Sequence, residues 1–425
     1  MSLRDLIILG VVFISLPFCF MRPWIGILVF SWLGYMNPHK YAWGIAPNFP
    51  VALIVAVPTL IGFAVTKDKE KFPFERESTV IILLWITFTI SSFFSFYPQL
   101  AWDMWQKTSK ILIMSLITIP LFLDRKRLKY LMLTISLSLG FLGVKGGIFS
   151  IIHAGQWNVR GPEGTFIAGE GDFGLALNMV LPILFYLVKE EENKKLKLLL
   201  YSTFVLTIVS VIFTYRRGAF LGLAAVILLL AVKSRKKIFG AAVLSMVLII
   251  APYFITETWT NRMETIKEYE QDTSAMGRIN AWKMAFNVAK DRPLIGAGFD
   301  GLSLTTKVNY SPNPSETAGD VHSIYFEVLG EHGFIAFGLF VFLLLFCLFS
   351  LKKIKKRLEG IHSAEWLRNY SDMLQISLIA YMVGGVFLGR AYFDLFYHLV
   401  AIIVVLKVLA NRELSSITAV SGQPV

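Results

Sequence analysis

The chain has 425 residues, of which 55% are hydrophobic and only 16% charged, with a mean hydropathy of +0.62. A soluble domain of this length does not carry such a composition, and continuous rather than alternating apolar runs exclude a β-barrel, so the chain reads as an all-α polytopic integral membrane protein. Its formal charge of +12 is the excess expected of basic cytoplasmic loops, not of a nucleic-acid binder.

The opening MSLRDLIILGVVFISLPFCFMRPW has an apolar centre but no small-residue cleavage site, and more apolar sequence follows at once, so an uncleaved first span is expected. Residues 4–36 admit two readings. Arg22-Pro23 either kinks one long helix, giving about twelve spans with the N-terminus inside, or parts two short spans, giving about thirteen with the N-terminus outside. The twelve-span reading is preferred. From residue 50 onward about eleven apolar runs follow, with no visible repeat or low-complexity linker. Cys19 and Cys347 each lie inside an apolar run, where a small buried hydrophobe is a better reading than a disulfide.

Basic clusters close alternate hairpins: KDKEKFPFER (67–76), DRKRLK (124–129), KEEENKKLK (189–197), KSRKK (233–237) and KKIKKR (352–357). These loops, and the C-terminal tail, read as cytoplasmic. The connections at 96–107, 153–172, 215–218, about 256–321 and 389–394 then face outward, and only that side has a loop large enough to form a site. The chain divides accordingly into spans with short loops (1–255), a long outer loop (256–321), and C-terminal spans with a tail (322–425).

Along the outward connections, Arg160 stands in the Gly/Pro-rich WNVRGPEGTF and is uninformative alone. Arg216 and Arg217 in TYRRG lie between two apolar runs, on the wrong side for topogenic arginines; they either snorkel to anchor the hairpin or bind phosphate oxygens bidentately. Within the long outer loop, SAMGRINAWKMAFNVAKD reads as an amphipathic helix with Ile279, Trp282, Ala285, Phe286 and Ala289 on one face and Arg278 one turn before Trp282. The segment as a whole is expected to lie on the membrane surface as a small cap. GAGFDG (296–301) matches the glycine pattern of dinucleotide-binding turns, but no strand–helix unit surrounds it, and a flexible loop with positive φ is the better reading. Three separate outer loops each bring an arginine, as a diphosphate at the membrane surface requires.

GDVHSIYFEVLGEHG (319–333) opens the next apolar run. No H-E-x-x-H spacing is present, and His322, Glu327 and His332 point to different sides of a helix, so no metal is expected. His322 stands at the N-terminal end, where free N–H groups and the positive end of the dipole disfavour a charged imidazole; it is either a local cap or a general base. Glu327 and Glu331, one turn apart on one face, serve either structure or catalysis. His332, about 15 Å further along an ideal helix, is too distant to share the role of His322.

Taken in order, TYRRGAFLGL, SAMGRINAWKMAF, PLIGAGF and HSIYFEVLGEHGFIAFGLF resemble the O-antigen ligase superfamily of membrane glycosyltransferases. MRPWIGILVFSWLGYMNPHKYAWG and VRGPEGTFIAGEGDFGLALNMVLP are similar to its exosortase-associated branch of O-glycosylation ligases. The resemblance implies a GT-C-like, metal- and cofactor-independent transferase of the bacterial inner membrane with a periplasmic active site. Such an enzyme moves a glycan from undecaprenyl diphosphate to a hydroxyl of the lipid A core, of a protein, or of another glycan. It implies His322 as general base and Arg217 and Arg278 as catalytic cations on the diphosphate, with Arg216 an added cation. Arg160 and Glu327 are less direct carry-overs, and Tyr325 and Trp282 take supporting positions. A transporter for an anionic lipid is the competing reading, opposed by polar groups gathered at one face rather than at the midplane.

Overall fold

The structure, a computed structural model, describes residues 2–233 and 273–421, and among them every regular element is helical. The helices in chain order are α1 (Leu3–Met21), α2 (Pro23–Met36), α3 (Val51–Val65), α4 (Arg76–Phe93), α5 (Pro98–Leu121), α6 (Arg125–Ile152) and α7 (Glu170–Glu190). They continue with α8 (Lys194–Ile212), α9 (Arg217–Lys233), α10 (Thr273–Asp291), α11 (Leu304–Tyr310), α12 (Ile324–Arg357), α13 (Glu365–Gly384) and α14 (Asp394–Ser421). Among the described residues seven of these, α1, α4, α6, α7, α8, α12 and α14, are long and apolar enough to cross a membrane, and α2 and α3 are shorter apolar helices. The stretch ETWTNRMETIKEYEQD (257–272), whose charges are spaced as on a helix, lies outside the described residues.

Ion pairs sort the loops into two ends. At one end Arg127 meets Asp68 (2.8 Å), Lys129 meets Glu191 (3.0 Å), Lys233 and Lys355 share Asp372 (2.6 and 2.7 Å), and Arg412 meets Glu70. Every basic cluster named above sends at least one residue to this network. Lys and Arg there meet the few acids available, so the repulsion within each cluster is relieved between loops. The opposite end collects the intervening connections: Phe96 donates to Ala297 (2.9 Å), Val159 to Phe213 (3.0 Å), and Tyr215 to Gly155 (2.5 Å).

The first 36 residues depart from the preferred reading. Arg22 is non-helical (φ −134°, ψ 81°) and Pro23 begins a new helix rather than kinking an old one. Asp5, at the start of α1, accepts from the backbone of Ala46 (3.1 Å) and Arg4 donates to the carbonyl of Tyr41 (3.1 Å), beyond the end of α2. Trp24, at the start of α2, stacks instead on Tyr130 at the basic end (6.3 Å, 15°). The two helices are therefore antiparallel, and the start of α1 lies at the end opposite the basic network. Proline cannot donate the N–H that would continue the helix, and its ring clashes with the preceding turn. The hairpin packs on α3, where Gly62 faces the carbonyl of Phe20 so closely that a Cβ would stand 2.1 Å from its oxygen.

α12 also breaks, at Gly333 (φ 77°, ψ −173°). The glycine-rich segment read as a flexible loop repairs the break. Ala297 donates to Gly330 (2.9 Å), Gly298 to Glu331 (2.7 Å), and Phe334 to Pro293 (2.8 Å). Backbone groups freed inside the apolar run thus find partners in the protein, the condition under which irregular backbone survives at membrane depth. Ala297 and Phe299 are fully buried. Residues 293–299 of the segment expected to form a surface cap are accordingly wedged against α12.

Candidate functional site

His322 sits immediately before the N-cap of α12, in the left-handed region at φ 48°. A non-glycine residue held there costs about 1–3 kcal/mol, and such strain persists only where the surroundings fix it. They do so here. The next residue back, Val321, is buried, and its carbonyl accepts from the Trp282 indole (2.9 Å), whose ring stacks on Phe326 (5.2 Å, 7°). The imidazole itself is partly open (40% exposed), with Nδ1 at 3.5 Å from an Asp320 carboxylate oxygen.

α10 runs beside this segment. Ala318 donates to the carbonyl of Gly277 (2.9 Å), the neighbour of Arg278, so Arg278 and Trp282 both belong to the helix that braces the approach to His322. The buried face of α10 is formed by Ala281, Met284, Ala285, Val288 and Ala289, whereas Phe286 is 47% exposed. The expected face is therefore rotated by about one residue, because its partner is the first half of α12 and not a flat bilayer surface.

Both glutamates of α12 reach the connection between α13 and α14. Glu327 accepts from the Ala391 N–H (2.8 Å), Glu331 from the Tyr392 hydroxyl (2.6 Å), and Tyr325 donates to the carbonyl of Met382 (3.2 Å). The connection so held presents Arg390, which donates to Asp172 (2.6 Å) in the first turn of α7. One turn of α7 thus takes two arginines, since Glu170 pairs with Arg216 at 2.8 Å. Acids in a first turn are favoured by the helix dipole, which explains why α7 begins with them. Gly218, after Arg217, packs toward Phe387 of the same connection, and Gly389 lies against Asp320, whose carboxylate would be 3.0 Å from an added Cβ.

One end of the bundle thereby links the TYRRG turn, the start of α7, the 385–391 connection and the start of α12. Arg160 is mostly exposed and 3.9 Å from Glu163, and its charge also reaches Glu170. Arg390, Asp172, Asp320 and Glu170 were not singled out from the sequence. The signal present was GRAYFD itself, an arginine in a connection that the charge pattern reads as outward. Beneath the site, His332 is fully buried among Phe88, Phe299 and Tyr392, with Nδ1 at 2.5 Å from the Ser91 hydroxyl. It belongs to the packing under the helix break.

Compared with known proteins, residues 202–343 match the family described as O-Antigen ligase. Residues 3–192 match a family of unknown function, DUF5935. No curated protein matches the chain. The first match holds Arg216, Arg217, Arg278, Trp282, His322, Tyr325, Glu327 and Gly333; Arg160, Glu170 and Asp172 fall in the second, and Arg390 in neither.

Proposed function

We propose that the chain, whose residues 202–343 match the O-antigen ligase family, is a membrane glycosyltransferase that transfers a glycan from undecaprenyl diphosphate to an acceptor hydroxyl at the periplasmic face. The observation that supports this most directly is His322, half open and held in a strained backbone state beside Asp320. A carboxylate at Nδ1 favours the tautomer with its proton on that nitrogen. The Nε2 lone pair is then left for an acceptor hydroxyl.

In this reading the acceptor oxygen attacks the anomeric carbon in line, His322 Nε2 takes the hydroxyl proton, and the bond from the anomeric carbon to the diphosphate oxygen breaks. The configuration inverts, and the departing diphosphate carries the electron pair. Arg217 and Arg278 stabilise that charge, and a diphosphate leaving group needs neither ATP nor a metal for this. Arg216, already engaged by Glu170, shapes the turn and adds positive potential. Glu327 holds the 390–391 backbone rather than moving a proton.

The test is reconstitution with a lipid-linked glycan and candidate acceptors: lipid A core, a protein substrate, or a second glycan. Glycosylated acceptor and free undecaprenyl diphosphate are expected from the parent protein. His322→Ala and Arg217→Ala are expected to lower the rate at least about 10²-fold at normal membrane levels. Near-normal transfer by both variants, or movement of the donor across the membrane unchanged, would overturn the reading. The acceptor that becomes glycosylated identifies the branch.

A further inference from the structure

Between α2 and α6 lies a groove of about 450 Å³, open to the side and lined by Leu28, Trp32, Met36, Leu137, Ser138 and Phe141. It uses nothing of the site described above. Both helices run from the basic end toward the site end, and Ser138, Phe141 and Lys145 follow one another at the helical spacing of one face of α6. Lys145 therefore stands over the end of the groove nearest the site end.

Arg4 meets it there, and Lys40 stands in the same connection. The ammonium of Lys145 lies 4.1 Å over the ring of Tyr41, Arg4 donates to the carbonyl of Tyr41 (3.1 Å), and Lys40 precedes Tyr41 and donates to the carbonyl of Pro47 (2.9 Å). Among the described residues none of the three is paired with a carboxylate. Asp5, the nearest acid of α1, is occupied by the backbone of Ser2 and Ala46. His39 adds no charge at pH 7, because burial, with Lys40 adding to it, holds its imidazole at about 4. Trp43, 79% exposed and covered by Arg4 at 4.2 Å, marks this level as the membrane–water interface, where indoles concentrate.

We propose that this groove and the cations at its mouth form a binding site for an anionic glycerophospholipid, with an acyl chain against Trp32 and Phe141 and the headgroup phosphate among Arg4, Lys40 and Lys145. Unpaired positive charge at headgroup level next to an apolar trough complements a lipid with net negative charge. A zwitterionic lipid brings its own cation into the same place and is disfavoured. All of these residues fall within 3–192, so the site gives that region a binding role separate from glycan transfer.

The experiment uses the full chain in a defined equimolar mixture of phosphatidylglycerol and phosphatidylcholine, with co-purified lipid counted by mass spectrometry and a photoactivatable phosphatidylglycerol to locate contacts. Phosphatidylglycerol is expected to be retained roughly tenfold over phosphatidylcholine, with cross-links in residues 28–36 and 134–145. The double variant Lys40→Ala/Lys145→Ala removes charge, and Thr134→Trp fills the trough while leaving every cation in place. Each is expected to reduce retention roughly fivefold or more with an unchanged melting temperature. Equal retention of the two lipids, cross-links confined to other surfaces, or retention unaffected by both variants would overturn the proposal. So would displacement of phosphatidylglycerol by a polyprenyl diphosphate at one equivalent, which would make the groove a donor site.

Discussion

At the scale of single residues, the site is defined by what each charged side chain is already holding. Glu327 accepts a backbone hydrogen bond from Ala391, a bond that a glutamine oxygen accepts equally well. Glu327→Gln is therefore expected to keep most transfer activity. Glu327→Ala leaves that N–H without its partner and is expected to cost about 1–3 kcal/mol of stability and to lower transfer. Melting temperature and transfer rate measured together check this; a glutamine variant as inactive as the alanine one, with an unchanged melting temperature, would instead make the carboxylate a direct participant. His322, Arg216 and Arg217 were legible in sequence because they stand at span ends on the side that lacks topogenic charge. Arg390 and Asp172 were not legible as a pair: they are 218 residues apart, and nothing local to either one announces the other.

At the scale of elements, the helix break at Gly333 organises the region below His322. A Cβ on this residue would stand 2.4 Å from the carbonyl oxygen of Pro293, and its φ of 77° lies where side chains are strained. Gly333→Ala is expected to destabilise the protein by about 2 kcal/mol or more, read as a lowered melting temperature in detergent. Slow amide exchange at Ala297, Gly298 and Phe334 in the parent should become fast in the variant, since those three bonds close the break. Exchange at these amides that is already fast in the parent would contradict the packing described. The sequence predicts one continuous span here because the apolar run is unbroken. It predicts a loose loop at 296–301 because glycine signals conformational freedom without naming the partner that uses it. Hydrogen bonds between those two stretches are invisible to either one read alone.

At the scale of the whole molecule, ion pairs and hydrogen bonds sort the loops into two ends, and the α1–α2 hairpin fits that order once Arg22 is recognised as a turn. The arrangement predicts membrane sidedness. With the buried Cys19 and Cys347 replaced, single cysteines at Arg22 and Lys126 are expected to react with an impermeant thiol reagent from one side, and cysteines at the exposed Ile45 and Trp157 from the other. A cysteine at Arg22 that reacts from neither side would restore the single kinked helix, which places that residue in mid-span. By itself the sequence determined the class of protein and the alternation of basic and neutral loops. Those properties come from transfer free energies and charge counts that accumulate residue by residue along the chain. Only the tertiary structure decided that α1 and α2 are antiparallel, that the glycine loop mends a broken helix, and that Arg390 meets Asp172. Each of these depends on a contact between segments distant in sequence, and hydrogen-bond partners of that kind are chosen by packing, not by composition.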